Sequence, residues 1–116
     1  MKDEEIEKAK SFIVVEIIEY VPHSVVSTTI LRKSTGIVSV VSFDFGEGLT
    51  EKISPFDTFI QVIDGMAEIL IGGVATVLDI GHAIIVPAHV RSSIKANGRF
   101  KMISTIIKSG YDELTV

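Results

Sequence analysis

Short runs of β-branched and aliphatic residues, each cut off by a glycine- or proline-bearing turn, recur along this chain and leave it little option but β structure. The pattern predicts strands over residues 12–20 (FIVVEIIEY), 25–31, 37–45, 58–63, 66–71, 74–78, 83–86, 91–95 and 99–108. The breaks are Val21-Pro22-His23, a turn at 32–36, the loop Gly46-Glu47-Gly48, Gly72-Gly73, Asp79-Ile80-Gly81, Pro87 and Ala96-Asn97-Gly98. Asp64-Gly65 between two apolar runs predicts a hairpin joining the strands on either side. Only residues 3–11, charged and with Ile6 and Ala9 three apart, suggest a helical turn or two. Many short strands with almost no helix predict an all-β sandwich or closed barrel.

A chain of 116 residues is long enough for one domain and its core, but not for two. Eleven basic against fifteen acidic residues give a net charge of −4, which argues against nucleic-acid binding. Arg91, Lys95, Arg99 and Lys101 do gather late in the chain and suggest either a solvated face or an anion site. There are no cysteines, so disulfides and thiolate metal sites are excluded. The charged start argues against a signal peptide, and no apolar run reaches the ~20 residues of a membrane span. A cytoplasmic protein without membrane or nucleic-acid partners is expected.

Residues 46–96 carry a regular glycine and proline frame. Gly46 is followed by five residues, Lys52-Ile53-Ser54, three more residues, Thr58, six residues and Gly65. Gly81 then precedes Pro87 with five residues between them, and Ser92 lies just beyond. This frame, with the phrases Ser54-Pro-Phe-Asp-Thr58, Gln61-Val-Ile-Asp-Gly65 and Ile85-Val-Pro-Ala88, resembles the two conserved motifs of small single-domain cupins. The resemblance covers rather more than half of the chain. It implies a cupin-type double-stranded β-helix, a jelly-roll barrel built from about residues 37–108. The short helical turn and the strands of residues 12–31 would then pack on the barrel or at a dimer interface. Such a barrel needs tight turns, and glycine at 65, 73 and 81 supplies the positive φ they require.

In cupins the first motif carries His-x-His and a Glu, and the second a further His. Alternation along each strand aims these groups into the barrel, where they hold Fe, Mn, Ni or Zn. Laid on this chain, the resemblance puts Lys52 and Ser54 at the two His positions, Thr58 at the Glu position and Ser92 at the last His. An ammonium has no lone pair to give and hydroxyls are weak ligands for these metals. No metal and no other cofactor is therefore expected. His23, His82 and His89 lie in or beside turns without the spacing of two that would aim a pair inward, so a relocated site is not expected either.

The resemblance further implies that Lys52, Ser54, Thr58 and Ser92 converge on one small cavity. They are either inert fillers, with Lys52 reaching out of the barrel mouth, or a ligand site with one cation and three hydroxyls. The second reading suits a small carboxylate, sugar or phosphate. A desolvated Lys52 would act as a general base or Schiff-base amine, unless Asp57 or Glu51 paired with it; Glu51, its strand neighbour, should face the other way. Some metal-independent sugar epimerases share the barrel and use a His–Asp pair with a Tyr, but Tyr20 and Tyr111 lie outside the matched strands. The expectation is a metal-free binding or accessory protein for a small molecule. Its alternative is a metal-independent isomerase or lyase acting on a small polar or anionic substrate through Lys52. The apolar run at 12–20 also predicts a homodimer, with the acidic N-terminal half facing the basic cluster.

Overall fold

A computed structural model describes residues 5–110. Nine strands follow one another: β1 Val25–Lys33, β2 Gly36–Phe43, β3 Gly48–Lys52, β4 Asp57–Gly65, β5 Ala67–Ile71, β6 Val74–Leu78, β7 Ala83–Val86, β8 Ser92–Lys95 and β9 Phe100–Ile107. They form a five-stranded sheet ordered β1-β2-β9-β4-β7 and a four-stranded sheet ordered β3-β8-β5-β6. All strand pairs are antiparallel. The two sheets face one another as the halves of a jelly roll, so the expected all-β barrel is the fold observed.

Strand alternation divides each sheet into an inner and an outer face. Phe43, Ile60, Val62, Phe100 and Met102 of the larger sheet meet Ala67, Ile69 and Leu78 of the smaller one in a shared core. Phe43 and Phe100, opposite one another across β2 and β9, stack with ring centroids 4.3 Å apart and close the lower end of the barrel. Four residues further along β9 the inward series reaches Ser104, which lines the cavity.

Two expectations about elements fail. Residues 12–20 form no strand; the segment carries a single 3-10 turn at Val14–Glu16 and crosses the outer face of the larger sheet. Its apolar run buries Ile18 while Phe12 and Ile13 stay exposed. It is held by sheet side chains: the Lys101 ammonium donates to the Val15 carbonyl at 2.8 Å, and the Ser42 hydroxyl donates to the Glu19 carbonyl at 2.9 Å. The short helical turn expected near the N-terminus is this 3-10 turn, which lies at Val14–Glu16 and not in the described part, 5–11, of the stretch where it was expected. Instead Ile6 N–H donates to the Ile30 carbonyl and Glu5 accepts the Arg32 N–H, so this stretch partly covers the edge of β1.

The second failure is the hairpin at Asp64-Gly65. β4 pairs with β7 and β9, whereas β5 pairs with β6 and β8, so the turn carries the chain from one sheet to the other. Gly65 is needed there for a second reason besides its φ of +73°: a Cβ would collide with the Arg99 carbonyl oxygen. The Gly72-Gly73 turn is a true hairpin between β5 and β6, and Gly81 leads into β7 as expected. Pro87 follows the last residue of β7; the loop expected at 46–48 occupies 44–47 instead, and β3, which begins at Gly48, was not among the expected strands.

Candidate functional site

Three strands of each sheet surround a cavity of about 90 Å³ between the inner faces. Its rim is set by strand register. Lys52 stands opposite Ser92, and Thr58 stands between Val86 and Ile106. One layer deeper, Leu49 faces Ile94, which faces Ile69, while Ile60 faces Ser104. Met102 forms the floor.

Lys52 reaches this rim because β3 carries an irregularity. Leu49 pairs with Ile94 and Lys52 with Ser92, so two residues, Thr50 and Glu51, lie opposite the single Ser93. In a regular strand Glu51, not Lys52, would share the face of Leu49. The extra residue reverses the alternation and aims Lys52 inward, a common use of a bulge beside a site. Glu51 is turned outward as expected, where its carboxylate lies 3.6 Å from Arg91.

Lys52, Ser54, Thr58 and Ser92 all line the cavity, so the convergence expected of them is present. Their states differ. The Ser54 hydroxyl accepts the Phe56 N–H at 3.1 Å and its carbonyl accepts the His89 N–H at 2.7 Å, so Ser54 shapes the loop. Thr58 and Ser92 are half-buried and, like Lys52, have no side-chain hydrogen bond or ion pair among the described residues. Among the described residues no polar side-chain atom is sealed away without a partner, so these groups open onto the cavity rather than into packed core. Lys52 itself is exposed at the cavity mouth, which removes the expectation of a desolvated side chain. Asp57 does not pair with it; the Asp57 carboxylate accepts the Ala88 N–H at 2.7 Å and holds the loop after Pro87.

Ser104 is the cavity residue that sequence reasoning missed. It is half-buried, unpartnered among the described residues, and lies between Met102 and Ile106 on the inner face of β9. The signal was present: Phe100, Met102, Ser104 and Ile106 form an inward series in which one member is a hydroxyl.

The three histidines sit elsewhere. His23 and His89 occupy turns with φ of 60° and 67°, and His82 accepts the Asp79 N–H on Nδ1 at 3.2 Å; all three are exposed. No three His, Asp or Glu side chains gather among the described residues. An ammonium and hydroxyls are a poor donor set for the metals that the fold commonly houses, so the residues at the barrel centre do not fit such an ion.

The late basic residues do not form one patch. Arg91 and Lys95 belong to the smaller sheet and its approach, whereas Arg99 and Lys101 lie at the larger one. There they flank the Tyr20 ring, at 5.2 Å and 4.9 Å from its centroid. The Tyr20 hydroxyl donates to Asp64 at 2.6 Å, and burial followed by this bond raises its pKa. Arg99 pairs with Asp44 at 2.8 Å. The Asp44 carboxyl is lowered to about 2, first by the His23 N–H and then by Arg99. Tyr20 thus anchors the N-terminal segment on the outer face and takes no part in the cavity. Tyr111 lies outside the described residues.

Among solved structures the chain is similar to a conserved Streptococcus pyogenes protein of unknown function, at a TM-score of 0.86 and 24% identity over 94% of this chain and 96% of that one. A cupin superfamily protein from Desulfitobacterium hafniense superposes at 0.85 with 24% identity, over 94% of this chain and all (100%) of the other. A cupin 2 conserved barrel domain protein from Leptotrichia buccalis gives 0.80 and 26%, over 84% of this chain and 47% of that one. No protein-family profile and no curated protein matches the sequence. The chain has the fold of a small cupin domain.

Proposed function

We propose that this cupin-fold domain binds a small polar or anionic molecule in the barrel centre without the usual metal, as a binding or accessory protein. One observation carries the reading: the Lys52 ammonium and the Thr58 and Ser92 hydroxyls, all without side-chain partners among the described residues, line one rim of the same cavity. Three hydrogen-bonding groups that protein leaves unused, one of them charged, suit a carboxylate or another small anion. The volume is well above the ~10–15 Å³ that a single water needs, so a small molecule has room. Elemental analysis of protein purified without chelator tests the premise: less than about a tenth of an equivalent of Fe, Mn, Ni or Zn is expected, and a stoichiometric amount of any of them overturns it.

The alternative is a metal-independent isomerase or lyase that uses the unpaired Lys52 amine on a small polar or anionic substrate. Lys52 lines the cavity and makes no ion pair among the described residues, so its side chain is available to a substrate, which is what favours this second reading. Borohydride treatment with pyruvate checks the amine: a covalent adduct at Lys52 supports the enzyme, and an unmodified Lys52 removes the Schiff-base role.

A further inference from the structure

We infer that the cavity selects a short carboxylic acid carrying an oxygen at its far end, the carboxylate held at Lys52 and the distal oxygen at Ser104. The inference rests on the reading of the cavity as a ligand site and adds the ligand's class and orientation. Its basis is the vertical order of polar and apolar side chains.

Lys52, Ser92 and Thr58 form the upper polar layer. Leu49, Ile60, Ile69 and Ile94 make the walls beneath, and a sugar or phosphate placed among them would lose hydration without replacement hydrogen bonds. On the inner face of β9 the hydroxyl at that depth is Ser104, opposite Ile60 and without a side-chain partner among the described residues. Left dry and unbonded it would cost about 1–3 kcal/mol, so a purely aliphatic tail is disfavoured there. Thr58 and Ile60 are two residues apart on β4, which separates the two polar layers by about 7 Å. A chain of roughly five carbons spans that distance. The ligand is therefore polar at both ends and apolar between them.

Titration of the ¹⁵N-labelled full chain tests this, with glycolate, valerate, δ-hydroxyvalerate, octanoate and sulfate as probes. δ-Hydroxyvalerate is expected to bind tightest, about threefold to tenfold tighter than valerate, the gain of one hydrogen bond. Ser104→Ala should abolish that advantage while leaving valerate binding intact. Lys52→Met should weaken both acids, and amide spectra of the two variants confirm that they are folded. Sulfate or glycolate binding as tightly as δ-hydroxyvalerate, or an advantage that survives in Ser104→Ala, overturns the two-ended orientation while the anion site itself stands. Octanoate binding tighter than valerate, with shifts centred on the outer face, overturns the orientation in favour of surface adsorption. If no probe perturbs the cavity amides, the inference and the anion-site reading fall together.

Discussion

At the level of single residues, the site depends on side chains that the rest of the protein leaves unused. Lys52 is exposed and makes no ion pair among the described residues, so replacing it should leave the fold nearly untouched. Lys52→Met is expected to change stability by less than about 0.5 kcal/mol. The same change should weaken carboxylate binding about fivefold to tenfold, since a charge-assisted bond at an open mouth is partly screened. Thermal melts and titration on one preparation check both halves. Asp44 is the opposite case, a carboxylate in full use. Its pKa is held below the ordinary 3.8, so its stabilisation is present above about 4 and is lost as pH falls toward about 2. Asp44→Asn should flatten the acid limb of the stability curve in that window, as measured by denaturant unfolding at a series of pH values. Lys52, Ser54, Thr58 and Ser92 were legible through the resemblance to the two cupin motifs, whose glycine and proline frame the chain keeps. Ser104 was passed over because no motif marks it. The means by which Lys52 reaches the cavity was not legible, since it follows from a bulge that only the pairing of β3 with β8 reveals.

Among the elements, the turns were read more securely than their consequences. Gly65 was expected to have positive φ and does, but the strands it joins lie in different sheets. An Asp-Gly pair reports that the chain reverses; it carries no information about which strand becomes the neighbour. Because a Cβ at this position meets the Arg99 carbonyl oxygen and residue 65 has φ of +73°, Gly65→Ala is expected to destabilise by at least about 2 kcal/mol. Gly73→Ala, where a Cβ meets nothing, should cost only the strain of positive φ, and paired chemical denaturation curves would rank the two. The segment at 12–20 was misread for a related reason. A β-branched apolar run suits a strand, yet it suits equally a covering layer whose backbone is satisfied by Lys101 and Ser42 from the sheet below. Those partners lie far along the chain, so no local pattern announces them.

At the scale of the whole molecule, the outer face of the larger sheet carries the feature most relevant to assembly. Phe59 pairs directly with Ile85, and Ile107 lies diagonally across from Phe59 on β9. All three are 40% exposed or more and form a contiguous apolar patch beside the N-terminal segment. Self-association through this face is proposed in place of pairing by residues 12–20, since those form no strand to add to a sheet. Light scattering at micromolar concentration should give twice the chain mass, and Phe59→Lys should give a monomer; a monomeric parent chain contradicts the proposal. The same sheet contributes Thr58, Ile60, Met102 and Ser104 to the cavity on its inner side, so its two faces have separate tasks. The central claim is that a barrel of cupin fold here encloses a two-ended polar pocket in place of a metal centre. A crystal structure of the protein grown with δ-hydroxyvalerate, with anomalous data collected across the Fe and Zn edges, tests it most directly. The account predicts elongated density from Lys52 to Ser104 with no anomalous peak in the cavity; a metal peak coordinated by cavity residues would contradict it.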